Sequence, residues 1–358
     1  MATEAVPHRS HVAASPELER FYAEVGEFHM RPLWLVLADA MTPEPTPKSV
    51  PHVWRWRDVE PRITKAGRLV TADQAERRVL MLLNPALDKP AATATLFAGI
   101  QMVLPGEIAR THHHSPAAIR FVIQGEGAHT TVNGEKSIMS KGDYLTTPNW
   151  TWHDHGNESK EPVIWLDGLD MPFVIMMDAM FFQYFPEETQ PVTKRMDDSK
   201  YRWGANLKPS WVRPSDGGVY SPLLNYRWQD TREVLHRLRE DEGSPCDGIL
   251  MEYVNPYTGG PSLPTMDAHL QLLRAGEHTT AHRHVASTVY NVAEGGGYSI
   301  INGKRFDWAL NDTFVVPAWS WHEHASTGGE VVLFSYSDRP ILRSFGLDRE
   351  QTHEEKHE

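Results

Sequence analysis

The chain has a single cysteine, Cys246, in 358 residues. It can therefore hold no internal disulfide and no zinc or iron–sulfur site built on clustered cysteines. Long apolar runs are missing too. None approaches the ~18 residues of a membrane-spanning helix, and the opening MATEAVPHRSHVAASPELERF lacks the apolar stretch of a secretory signal. Basic residues are in deficit, with 35 Lys+Arg against 47 Asp+Glu and a formal net charge of −12. That argues against a general nucleic-acid binder, because neutralising phosphates needs clustered cations. The expectation is a cytoplasmic protein with neither a membrane nor a nucleic acid as partner. Low-complexity disorder is excluded as well, since 40% hydrophobic residues with 12 Trp, 12 Phe and 11 Tyr are ample for packed cores. The length favours two domains.

What is abundant is histidine, 19 residues, and much of it falls in two matching stretches. GEIARTHHHSPAAIRFVIQGEG (106–127) and GEHTTAHRHVASTVYNVAEGGG (276–297) lie about 170 residues apart. Each is followed by a hairpin-turn signal, Asn133-Gly134 or Asn302-Gly303, and each ends alike, in TPNWTWHDH (147–155) or VPAWSWHEH (316–324). A repeat of this length means two copies of one domain. Runs such as 119–124, 313–316 and 331–336 are short, rich in β-branched and aromatic residues, and bounded by turn formers, so both copies read as strands of a sandwich or barrel. Helices are expected outside the copies. One spans 15–30, opened by Ser15-Pro16 with Leu18, Phe21, Tyr22, Val25 and Phe28 on one face; a second piece covers 33–41 after a break at Pro32. A third, in the connector, starts at Asp230 and stops at Gly243. The tail, 349–358, reads as charged and frayed. The resulting division is a helical segment at 1–75, the first copy at 76–185, a connector with a helix at 186–245, and the second copy with its tail at 246–358.

Residues i and i+2 of a strand share a face. His112 and His114 therefore project together, as do His282 and His284, while His113 is the outward middle residue. Each copy adds a later histidine, His153 or His322. An isolated His-x-His pair reads equally as a solvated or hydrogen-bonded pair, but recurrence of all three positions in both copies points to metal ligation. His8, His11, His353 and His357 lie in the tails and are assigned no role. Strand parity puts Arg120 on the same side as Ala118; an ion pair at the surface is its other reading. The corresponding residue of the second copy is Tyr290, so only the first copy is expected to place a cation there.

Gly106-x5-His112-x-His114 with Gly125, then Gly142-x5-Pro148-x4-His153-x3-Asn157, resembles the two cupin motifs. The second copy follows, with Asn311 for the motif glycine and Ser326 for the asparagine. The resemblance implies a mainly β bicupin: two jelly-roll barrels preceded by an N-terminal helical segment. Many cupins carry a glutamate ligand after the His pair; here Ala118 and Thr288 stand in its place, leaving three neutral imidazoles and open coordination positions for a chelating acid and O2. The segments ERRVLMLLNPAL (76–87), TLFAGIQMVLPGE (95–107), HHHSPAAIRFVIQGEG (112–127), PNWTWHDHGN (148–157) and WLDGLDMPF (165–173) resemble the gentisate 1,2-dioxygenases, close relatives of the salicylate and 1-hydroxy-2-naphthoate dioxygenases. The likeness covers nearly the whole chain. It departs at His113, where the family has Arg, and at Phe97, where it has Tyr or Trp.

This resemblance implies Fe(II) on His112, His114 and His153, and extradiol-type insertion of both atoms of O2 into an aromatic acid, turning gentisate into maleylpyruvate. Arg77 and Arg120 would hold the carboxylate, and Phe97 and Gln101 would line the pocket. His155 would move a proton, or else support a neighbouring ligand. Asp167 would accept a hydrogen bond from the 5-hydroxyl, unless it is only a turn residue before Gly168. The second triad, His282, His284 and His322, would bind a metal without carrying the main reaction. The family also implies a homotetramer. Salicylate or hydroxynaphthoate cleavage, and a non-catalytic cupin that binds metal and ligand, remain as alternatives.

Overall fold

The computed structural model describes residues 15–205 and 207–353; His8, His11 and His357 lie outside them. The chain forms two compact units, divided between Thr46 and Pro47. In the smaller, the helix Pro16–Glu27 begins as expected, with Ser15 Oγ accepting the Leu18 N–H at 3.1 Å. After Pro32 come a 3-10 turn, Leu33–Leu35, and the short helix Leu37–Ala40.

The larger unit holds both barrels, and every strand pairing in it is antiparallel. Each barrel faces a six-stranded sheet against a five-stranded one. In the first, the six-stranded sheet includes Phe97–Val103, Ala118–Gln124 and Val163–Leu169, and the other carries Ile108–His114, His153–Asn157 and Phe182–Tyr184. The second repeats this with Asp267–Leu273, Thr288–Glu294 and Val331–Ser337, opposite His282–His284, His322–Ser326 and Glu350–Thr352. The two hairpin turns form as read: Asn133 and Gly134 have φ of 44° and 77°, Asn302 and Gly303 50° and 75°. Asn311, at 66°, adopts the left-handed conformation its glycine counterpart takes at 84°, which Asn tolerates better than other side-chain-bearing residues.

The repeat is longer than the motifs alone disclose. The strand His52–Trp54 closes an edge of the second barrel, and Asn225–Tyr226 closes the matching edge of the first. Each leads into a helix, Trp56–Leu69 or Trp228–Arg237. The connector helix thus starts two residues before Asp230, and its cap is not local: Asp143 Oδ1 of the first barrel accepts the Trp228 N–H at 2.9 Å. Asp312 Oδ1 of the second barrel caps Trp56 in the same way, at 2.6 Å. The start of the tail corrects the frayed reading, since Glu350–Thr352 is a strand paired with His282–His284; 354–358 lie outside the described residues.

One continuous core runs through both barrels. Phe121 and Phe334 stack across it with ring centroids 4.1 Å apart. Tyr336, fully buried in the second barrel, donates its hydroxyl to the Phe97 carbonyl of the first at 2.7 Å. Gly168 makes room for this: a Cβ there would lie 2.6 Å from the Tyr336 ring.

Candidate functional site

Antiparallel pairing sets His112 directly opposite His153, and the pleat brings His114 to the same face. The ring centroids of the three lie 4.1, 4.8 and 5.2 Å apart. The second triad repeats the arrangement through the His282–His322 pair, at 4.2, 5.0 and 5.6 Å. In each triad, one ligand atom per histidine falls within 4.8 Å of the others.

The imidazoles are prepared to coordinate. His114 Nδ1 lies 2.8 Å from the Pro116 carbonyl, and His153 Nδ1 2.9 Å from that of Thr151. A carbonyl only accepts, so Nδ1 carries the hydrogen in both and the Nε2 lone pair is left for a metal. His284 with Ala286 and His322 with Ser320 follow suit, at 2.8 and 2.9 Å. Nε2 of both His153 and His322 is buried and has no hydrogen-bond partner among the described residues. Burial keeps the rings neutral, lowering His114 and His282 to about 4 and His322 to about 3. Three neutral, converging imidazoles fit a divalent metal in either barrel.

Around the first triad the groups are cationic. Arg120 is buried on Ala118–Gln124, where its Nη1 donates to Thr147 Oγ1 at 2.6 Å and its Nε lies 3.4 Å from Asp167 Oδ1. Asp167 is therefore no turn residue: it sits in the strand Val163–Leu169 opposite Arg120 and also accepts from Trp165 Nε1 at 3.0 Å. Desolvation raises its pKa to about 6, against the opposing pull of Arg120. Arg77 meets His112 Nδ1 and donates to the Arg110 carbonyl at 3.1 Å; burial and the nearby Arg120 lower it to about 10. Phe97 is buried, with its ring edge over Gly99, where a Cβ would come within 2.9 Å of it.

Two polar side chains here are buried without partners among the described residues: Gln101 through Nε2 and His155 through both ring nitrogens. Each orphan costs about 1–3 kcal/mol unless something binds it. Their counterparts in the second barrel are better satisfied, since Gln271 Nε2 donates to the Asp247 carbonyl at 2.8 Å and His324 Nδ1 bonds Ser299 Oγ at 2.7 Å.

His113 faces away from the triad but not into water. It is 6% exposed, stacked between Trp150 and Trp152 at 3.7 and 3.6 Å, and bonded to Gln183 at 3.1 Å. Arg283 fills the same slot in the second barrel, over Trp319 and Trp321. Two partners escaped the sequence reading: Thr147, and Phe182, whose ring stacks on His112 at 5.2 Å. The second rim also has a cation the sequence did not disclose, Arg339, which is engaged by Asp348 and Glu350.

No helix among the described residues is long and apolar enough to cross a membrane. The cupin domain model matches the chain twice, at residues 99–169 and 269–336. The chain is 42% identical to gentisate 1,2 dioxygenase 1 of Aquipseudomonas alcaligenes over 94% of this chain and 97% of that one. It is 38% identical to the 5-aminosalicylate 1,2-dioxygenase of a Comamonas species over 94% and 91%. A tryptophan-to-tyrosine variant of the salicylate 1,2-dioxygenase from Pseudoaminobacter salicylatoxidans, solved in complex with gentisate, superposes with a TM-score of 0.89 at 37% identity, covering 99% of this chain and 100% of that one. With two metal-competent barrels and full-length likeness to these enzymes, the chain belongs to the gentisate 1,2-dioxygenase family of bicupin ring-cleaving dioxygenases.

Proposed function

We propose that the protein cleaves gentisate (2,5-dihydroxybenzoate) with O2 to maleylpyruvate, using Fe(II) held by His112, His114 and His153. The observation that carries this is the set of groups facing the first triad alone: two guanidiniums, and the orphaned polar atoms of Gln101 and His155. Bound there, the metal supplies a chelation point for the acid and the activation of O2 for insertion between C1 and C2.

The chain's own residues do the rest. Arg120 and Arg77 take the ring carboxylate, so an anionic acid enters where cations are already desolvated. Asp167 fixes the Arg120 guanidinium and offers its second oxygen to the 5-hydroxyl. Phe97 lies against the ring, and Gln101 donates to a ring oxygen. His155, kept neutral by burial, takes a proton from the substrate side and returns it to product. Holding the acid in one pose supplies much of the rate through proximity. The second triad binds metal without carrying the main reaction, and the enzyme works in the cytoplasm as a homotetramer.

Salicylate or hydroxynaphthoate is the second reading, favoured by the similar likeness to a salicylate dioxygenase and by the plain Phe97 ring. O2 uptake after anaerobic Fe(II) loading, with gentisate, salicylate and 1-hydroxy-2-naphthoate in turn, separates the two. Fastest uptake is expected with gentisate. Uptake with none of the three would leave a binding protein.

A further inference from the structure

The strand that carries Phe97 and Gln101 is pinned from the other barrel. Its leading turn is closed on itself, because the Leu96 carbonyl accepts both the Ala92 and the Thr93 N–H, at 3.0 and 3.1 Å. Two side chains of the second barrel grip it there. Tyr336 donates to the Phe97 carbonyl, and Asp338, two residues on, accepts the Thr95 hydroxyl through Oδ2. Thr95 and Phe97 are likewise two apart, so the anchors match in spacing. The other oxygen of Asp338 serves its own barrel. Oδ1 accepts the Ser287 N–H at 2.8 Å, and the carbonyl just before it, Ala286, is the one that fixes Nδ1 of His284. One carboxyl therefore joins the loop behind the second triad to the start of the strand carrying Phe97. Asp338 is only 4% exposed. An acid buried that far is tolerated where donors replace the lost water, and here one donor comes from each barrel.

We propose that Asp338 is a positioning residue for the substrate pocket of the first barrel, setting through Thr95 where Phe97 and Gln101 stand against the ring of the acid. This role rests on the first barrel's cleaving the acid, and it puts ring preference partly under the control of the second barrel. Without the anchor the start of the strand can shift, and Phe97 and Gln101, on one face of it, shift together. Both meet the ring before and during the reaction. Their displacement therefore weakens binding throughout, which raises KM more than it lowers kcat.

The full chain, loaded anaerobically with Fe(II), is assayed for O2 uptake with gentisate, salicylate and 1-hydroxy-2-naphthoate, and gentisate binding is followed by anaerobic calorimetry. Thr95→Val removes the hydroxyl, keeps the shape and leaves the bond from Ser287 to Asp338 in place. It should raise KM and Kd for gentisate about three- to tenfold with kcat within about twofold, and shift the kcat/KM ratios among the three acids. Thr95→Ser should restore all of these. Asp338→Asn should move them the same way, and Thr95→Val added to it should change little more. Unmoved KM and ratios in Thr95→Val, with or without a lower Tm, would overturn the role of Asp338. So would losses that multiply when the two substitutions are combined. If Asp338→Asn does not fold, Thr95→Val and Thr95→Ser decide alone. A wild type that binds gentisate but takes up no O2 would refute ring cleavage, and the Kd comparison would still judge the anchor.

Discussion

The His112, His114, His153 and the His282, His284, His322 clusters have nearest ring centroids at 4.1 and 4.2 Å, two histidines in each whose tautomers are fixed by the same kind of carbonyl, and the same strand pairing. Their surroundings share little. Two arginines, one of them paired with Asp167, and two orphaned polar side chains face the first; two acids, the acid-held Arg339 and better-satisfied polar groups face the second. Ligand geometry therefore does not distinguish the barrels. The charge and unsatisfied bonding of the rims do, and under the proposed function they determine whether an anionic acid is stabilised there.

The sharpest way to break this contrast is to remove one ligand from each barrel. His153→Ala should abolish O2 uptake with gentisate, by on the order of 10³-fold or more, whereas His322→Ala should cost no more than about tenfold; comparable losses would mean both barrels react. Next is Arg120→Ala, which strands Asp167 without its buried partner at ~2–5 kcal/mol. If the whole of that cost is felt in the substrate complex, kcat/KM falls by about 30- to 4,000-fold at ~1.4 kcal/mol per decade; Arg120→Lys should fall in between, because it keeps the charge and loses the fork.

A smaller effect is expected with pH. The Asp167 carboxyl is raised to about 6, so below that pH it is neutral and no longer pairs with Arg120. Turnover should climb as pH rises through about 6, and Asp167→Asn should flatten that limb; Ser335 gives the second barrel no counterpart. Smallest of all is Tyr336→Phe, which deletes one cross-barrel hydrogen bond worth ~0.5–1.5 kcal/mol. Kinetics with the three acids should register it as a few-fold change in their ratio, because the lost bond anchors Phe97. The coupling runs one way, since the position matching Tyr336 in the first barrel is Gly168.

The histidine triads were legible because strand periodicity is local: His112, His114, His282 and His284 declare their face by spacing alone, and the repeat located His153 and His322. Arg120 followed from parity. What stayed hidden depends on residues far apart in the chain. Trp56–Leu69 went unassigned because its cap is Asp312, though Trp56, Val59, Ile63 and Ala66 carry a helical period. The acidic second rim was invisible because Asp247 comes from a loop and Glu350 from a segment that reads as a charged tail. His113 was taken as outward for want of the two tryptophans that cover it, yet the recurring Trp-x-Trp at 150–152 and 319–321 was a usable signal.

The most direct test of rim control is the number of gentisate molecules bound per chain, measured by anaerobic calorimetry on metal-saturated protein. One equivalent is predicted for the wild type, one for His322→Ala and none for His153→Ala. A second equivalent in the wild type, or one that survives in His153→Ala, would show that the second barrel also accepts the acid and would contradict the account.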